Sequence, residues 1–280
     1  MRLFLFCLLM IPTIGYTQVS SSKIQYLDQS KKLQGTLYWS PAYKEKRPGI
    51  VLYPEWWGLA NYPHDRARKL AELGYVVLAA DMYGKGYVTK SSKKAQRWME
   101  KVTRDPFNWV QRASAALDQL LGSSLVDPDN IAVIGYGFGG GTALQMSYAG
   151  YNIKGAVSIY GSLPLAPDES KGKVNAKILL FHGSEVSSIT AESVSAFKQQ
   201  LNAVDAKWKL VTYQGVKSGF SNPDSPKYDL ESMDYNEAAD HDSWKRIKEF
   251  LAKTFAKPAS SELPSENGVD STSEKLVKNN

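Results

Sequence analysis

Thiols and imidazoles are scarce in this chain. Cysteine occurs once in 280 residues, at Cys7, and histidine three times. A single thiol excludes an internal disulfide framework and any multi-cysteine metal site. His64, His182 and His241 form no pair with metal-ligand spacing, so no metal is expected. His182 closes a strand-like run before Gly183 and reads as a structural residue, while His64 and His241 read as surface positions. A bilayer-spanning helix needs roughly 18–20 apolar residues, and the apolar run 3–14 falls short of that. Internal repeats are lacking, and no nucleic-acid-binding motif or aromatic stacking platform is present.

What is there begins with that short run. Arg2 precedes it, and the small residues Thr13, Gly15 and Thr17 follow or close it. This is the layout of a secretory signal, with residues 1–17 removed and the mature chain starting near Gln18. Cys7 would leave with it, giving a thiol-free protein, secreted or periplasmic, with no stable membrane anchor. At the other end, residues 257–280 are mostly Ser, Glu, Pro, Lys and Asn and read as a disordered polar tail. The 43% hydrophobic content is ample for one large domain over residues 18–256, and a mean hydropathy of −0.35 suits a soluble protein. Net charge is only +6, but the cations are unevenly placed. Lys85, Lys90, Lys93, Lys94, Arg97, Lys101 and Arg104 face one acid, Glu100, across residues 85–104. That stretch reads either as an anion-attracting surface or as a solvated helix face with snorkelling lysines.

Between the ends, strands alternate with amphipathic helices. Residues 24–28 and 33–40 read as a hairpin turning around Ser30-Lys31-Lys32. Short buried strands follow at 48–53, 75–80, 131–134, 153–160, 176–182 and 208–213. Helices begin at Asn61-Tyr62-Pro63, with Asn61 the capping candidate, Pro63 in the first turn and Ala67, Leu70 and Ala71 inward, and at Asp105-Pro106, with Val110, Ala113, Leu117, Leu120 and Leu121 inward. Thr190 caps a further helix, with Val194, Phe197 and Leu201 inward. The last helix buries Trp244, Ile247, Phe250, Leu251 and Phe255. Such alternation implies a mostly parallel sheet covered by helices on both faces.

The most informative stretch is Ile-Ala-Val-Ile-Gly-Tyr-Gly-Phe-Gly-Gly-Gly-Thr at 131–142. A strand, a tight glycine turn and a helix in succession are the setting of a nucleophile elbow, whose central residue is Ser, Cys or Asp. Here the central residue is Gly137. Together with Glu55-Trp56-Trp57-Gly58, Asp81-Met82-Tyr83-Gly84-Lys85-Gly86, His182-Gly183 and residues 213–220, this motif resembles the dienelactone hydrolases across roughly 33–255. The resemblance implies a single α/β-hydrolase domain that cleaves ester or lactone bonds with a Cys-Asp-His triad and no metal or cofactor.

Carried over position by position, the triad is lost. The nucleophile falls on Gly137 and the acid on Val186, with Glu185 one register away. The base falls on Ser218, in the pattern Tyr-x-x-x-x-His-x-Phe. Acyl transfer needs an atom that forms the covalent intermediate and a base that takes and returns its proton. Gly137 has no side chain, and Ser218 is no base near neutral pH. The electrophilic part is retained: the backbone N–H groups of Trp56 and Phe138 are candidates for an oxyanion hole. Glu55, which the resemblance places beside the nucleophile, becomes a candidate ligand anchor. Trp56, Trp57, Tyr83 and Phe138 would wall an apolar pocket. The sequence therefore favours an exported, inactive relative that binds a small ligand or a protein partner. Two alternatives stay open: a hydrolase using Glu55 or Ser218, and a structural or adhesive protein using its basic face.

Overall fold

The computed structural model describes residues 18–186 and 189–256. The expected leader and tail lie outside them. Eight strands form one sheet: β1 (Ser20–Asp28), β2 (Lys31–Trp39), β3 (Arg47–Tyr53), β4 (Val76–Ala79), β5 (Val126–Tyr136), β6 (Gly155–Ile159), β7 (Lys177–Gly183) and β8 (Lys207–Tyr213). Their order is β1-β2-β4-β3-β5-β6-β7-β8. Strand β2 runs antiparallel to both β1 and β4, and every pair from β4 through β8 is parallel.

The described residues hold six α-helices: α1 (Asn61–Glu72), α2 (Ser92–Thr103), α3 (Pro106–Leu121), α4 (Phe138–Tyr148), α5 (Ala191–Ala203) and α6 (Glu237–Phe255). Alternation along the central strands decides which layer each side chain joins. Val51 and Tyr53 of β3 and Ile131 and Val133 of β5 pack with Trp109, Leu117, Leu144 and Phe197, from α3, α4 and α5. Ile50, Leu52, Ala132 and Ile134 point to the opposite face, against Ala67 and Leu70 of α1 and Ile247 and Leu251 of α6. Helices thus cover both faces, which is why β3 to β7 read as continuous apolar runs.

Several local expectations need correction. The hairpin turns at Gln29-Ser30, with Asp28 opposite Lys31, so Lys31 and Lys32 already belong to β2. Gln29 takes the positive φ of 51° that so short a turn requires. Asn61 does not cap α1. It is the first helical residue, preceded by Ala60 with no side-chain cap, and Pro63 sits in the first turn, where its missing N–H would have no helical partner. Leu121 is 40% exposed, because Trp109 rather than Leu121 completes the inward face of α3. His64 is half-buried and hydrogen-bonds Tyr38 Oη through Nδ1 at 2.8 Å, so it is not a free surface residue. The basic stretch does contain a helix, α2, which buries Ala95 and Val102 and exposes its lysines. Among the described residues no helix is long and apolar enough to cross a membrane.

Candidate active site

The turn between β5 and α4 is the tightest junction in the fold. A Cβ on Gly139 would lie 2.2 Å from the Tyr53 carbonyl oxygen, so only glycine lets the start of α4 sit against β3. Gly137, at the junction itself, has φ 55° and ψ −117°, and its N–H is held by Ile159 O at 2.9 Å. This is the strained geometry that an elbow imposes on its central residue. A side chain there would find room. The nearest atoms to an added Cβ are Tyr160 Cε2 at 3.7 Å and Glu55 Cγ at 3.8 Å, ordinary contact distances.

That vacant direction opens into a cavity of about 500 Å³ at the C-terminal ends of the parallel strands. The cavity brings together Gly137, Val186 and Ser218, the three positions singled out by the family resemblance, with Glu55, Trp56 and Phe138. Val186 lies in the segment after β7, where its carbonyl accepts from Ile189 N–H at 2.9 Å. Ser218 follows β8, its backbone N–H held by Ser232 O at 3.2 Å and its carbonyl by Asp234 N–H at 3.0 Å. Phe138 is the first residue of α4, so its N–H has no acceptor within the helix and lies at the positive end of the helix dipole.

Glu55 is the chemical centre of this space. It sits in the turn after β3, 3% exposed, and both carboxylate oxygens are engaged. Tyr160 Oη donates to Oε1 at 3.2 Å, and Asn222 Nδ2 donates to Oε2 at 2.8 Å. Burial dominates all the same and pushes the Glu55 carboxyl up to about 7, against the pull of those two hydrogen bonds. Beneath it, Arg66 pairs with Asp240 and donates to Ser221 O at 2.7 Å, fixing the 220–222 segment that delivers Asn222. Tyr62 Oη and Ser221 Oγ share a further hydrogen bond at 2.6 Å.

Two expected wall residues are elsewhere. Trp57 is fully buried and stacks on Tyr228, ring centroids 4.0 Å apart and 4° from parallel, so it is core. Tyr83 lies behind Phe138, stacked at 5.9 Å and 9°, and faces a different cavity. An aromatic at a strand end has two faces to choose from, and composition does not say which one it takes. In the other direction, sequence reasoning missed Tyr160 and Asn222. Tyr160 read only as the end of a strand, although its φ of 40° marks it as constrained. Asn222 lies in a segment without periodicity, where no pattern could have singled it out. Neither His182 nor His241 lines this cavity. His182 is buried, and burial lowers its pKa, so it is neutral near pH 7. Among the described residues, no group of three or more His, Cys, Asp or Glu side chains could hold a metal ion.

An eight-stranded sheet of this order, with a helix launched from a positive-φ turn at the end of its central strand, defines an α/β-hydrolase. Residues 33–255 match the dienelactone hydrolase family, and the chain belongs to that family. It is 26% identical over 217 residues to a Salmonella typhimurium protein described as "Putative carboxymethylenebutenolidase", covering 74% of this chain and 77% of that one. Among solved structures, a dienelactone hydrolase-like promiscuous phosphotriesterase, P91, from metagenomic libraries is similar with a TM-score of 0.82 and 27% identity. That match covers 85% of this chain and 99% of P91. A second structure, m3DLH, gives a TM-score of 0.82 and 29% identity over 86% of this chain and 100% of its own.

Proposed function

We propose that this protein is an exported member of the dienelactone hydrolase family that has given up acyl transfer and uses the old active-site cavity to bind a small ligand or partner group bearing a carbonyl or carboxyl oxygen. The observation that carries this reading is the convergence of Gly137, Val186 and Ser218 on one cavity beside an intact Glu55. A glycine, a valine and a serine supply no nucleophile–base pair, so no acyl-enzyme forms and no proton is shuttled to a leaving group. The backbone donors at Trp56 and Phe138 are untouched by that loss. They suit a carbonyl oxygen, and Glu55, half-protonated near pH 7, suits a hydroxyl or amide beside it.

Mass spectrometry of natively purified wild type and Glu55→Gln protein, followed by calorimetry with whatever is recovered, tests the binding. A small molecule retained by wild type and weakened about tenfold or more in Glu55→Gln supports the reading. An empty cavity in natively purified protein, together with no binding of short-chain carboxylic acids or amides, contradicts it. Export is read separately from the intact mass of protein recovered outside the cytoplasm, where a chain beginning near Gln18 is expected and a retained Met1 overturns it.

One further reading has its own support. The space left at Gly137, 3.8 Å from Glu55 Cγ, can hold a water molecule, and a carboxylate titrating near 7 is a competent base for it. That route would hydrolyse activated esters directly, with a rate that rises as pH passes upward through about 7 and vanishes in Glu55→Gln.

A further inference from the structure

A second cavity, of about 340 Å³, lies between the β1–β2 turn, the loop after β4, and helices α2 and α3. It shares no lining residue with the Glu55 cavity. Its walls combine two kinds of group. Tyr83, Tyr87 and Trp98 supply a continuous aromatic face: Tyr87 stacks on Trp98 at 5.6 Å and 24°, and Trp98 meets Tyr83 at 5.4 Å. Lys31, Lys101 and Arg112 supply positive charge. Arg112 is partly spent, since it pairs with Asp28 and donates to Met82 O at 3.1 Å. Lys31 and Lys101 form no ion pair among the described residues. The Lys31 stem lies across Gly84, where an added Cβ would meet Lys31 Cε at 2.7 Å, and its ammonium sits 5.7 Å from the Tyr87 ring centroid. At the inner wall, the Tyr83 hydroxyl is buried without a hydrogen-bond partner. Burial raises its pKa, so it remains a donor.

An aromatic wall gains from a planar apolar body, two unpaired ammonium groups gain from an anion, and an unsatisfied buried hydroxyl gains from an acceptor. No single feature asks for all three, but an aryl carboxylate offers them together. We propose that this cavity is a second binding site, specific for small aromatic carboxylates, with the ring against Tyr87 and Trp98 and the carboxylate between Lys31 and Lys101. The excess of cations over residues 85–104 then has a local use, drawing anions to the mouth of the site. Tyr83 of this site stacks on Phe138 of the first cavity, so an aromatic pair stands between the two.

Calorimetric titration with benzoate, benzyl alcohol and inorganic phosphate tests the chemistry. Benzoate is expected to bind saturably and more weakly as salt rises, and to exceed both other probes by at least tenfold. The double variant Lys31→Ala/Lys101→Ala changes two exposed side chains and should fold normally while losing about tenfold in benzoate affinity and most of the salt dependence. Tyr83→Phe should lose severalfold. Crystals grown with 4-bromobenzoate locate the ligand, and an anomalous bromine peak beside Trp98 is the expected result. Three results overturn the proposal. The first is a bromine peak only beside Glu55, which would place the aryl acid in the first cavity instead. The second is benzoate affinity unchanged in the double variant. The third is phosphate or benzyl alcohol binding as tightly as benzoate.

Discussion

The two halves of the Glu55 cavity are held in different ways. The half carried by β3 and β5 consists of Glu55, Trp56, Gly137 and Phe138, on central strands buried on both faces. Its geometry is set by main chain: the φ of Gly137, the close approach of Gly139 to Tyr53 O, and the free N–H at the start of α4. The half carried by β7 and β8 consists of Val186 and Ser218, on loops beside an edge strand whose residues alternate between exposed and half-buried. What that half could offer depends on side chains alone. Changing a main-chain feature on β3 or β5 would disturb the core, whereas replacing a side chain that faces the cavity from an outer loop disturbs the fold less. On the proposed reading, the acid and the base are missing from the outer half and only the nucleophile's side chain from the inner, whose donor cradle persists because the fold requires it.

The comparison predicts that chemistry can be returned by side-chain changes alone, two on the outer half and one at Gly137, with the main-chain cradle of the inner half left as it stands. The triple variant Gly137→Cys, Val186→Asp, Ser218→His should hydrolyse an aryl ester roughly a hundredfold or more faster than wild type, because nucleophile and base rejoin standing donors. Gly137→Cys alone should show no turnover. Steady-state rates on 4-nitrophenyl acetate decide it, and a triple variant no faster than wild type would mean that the cradle is not correctly placed.

Glu55 gives the next largest effect. Its carboxyl is raised from 4.5 to about 7, so the folded state binds the proton more tightly than the unfolded chain does. Stability tied to that proton is present below the unfolded pKa and is lost as pH rises through about 7. Between pH 5 and pH 8 wild type should lose roughly 2–3 kcal/mol relative to Glu55→Gln, comparing denaturant midpoints at both pH values. Because half-buried His64 and buried His182 are common to both proteins, their contributions cancel in the difference. Parallel curves for the two proteins would place Glu55 in solvent contact instead.

The split between halves also explains what could be read from sequence. Main-chain features leave a sequence trace, since a positive φ favours glycine and a close backbone approach demands it. Gly137 and the glycines after it therefore revealed the elbow, and the continuous apolar runs revealed β3 and β5. Glu55 was legible through the family resemblance of the Glu55-Trp56-Trp57-Gly58 stretch. Its partners were not: Tyr160 and Asn222 reach it from the end of β6 and from an irregular loop, through contacts set by tertiary packing. The misplacement of Trp57 and Tyr83 has the same origin. Their hydrophobicity showed that they are buried but not on which side of the turn.

Asn222→Ala should have a smaller effect. It removes the shorter of the two hydrogen bonds to Glu55 and should cost about 1–3 kcal/mol above pH 7, where the carboxylate is charged, and less at pH 5. Equal losses at both pH values would show that Asn222 acts through packing alone. The smallest change concerns the elbow. Gly137→Ala places a Cβ at a positive φ without a clash, so only backbone strain opposes it, and a loss of about 1 kcal/mol is expected. A neutral or stabilising result would indicate that this junction relaxes freely.

The most direct test of the account is the turnover of 4-nitrophenyl acetate by purified wild-type protein, measured beside Glu55→Gln and a heat-denatured control from pH 5 to pH 9. With no nucleophile at Gly137 and no base at Ser218, all three should release nitrophenol at the same slow rate. A wild-type rate well above the denatured control, rising through about pH 7 and abolished in Glu55→Gln, would contradict the loss of catalysis and make Glu55 a working base.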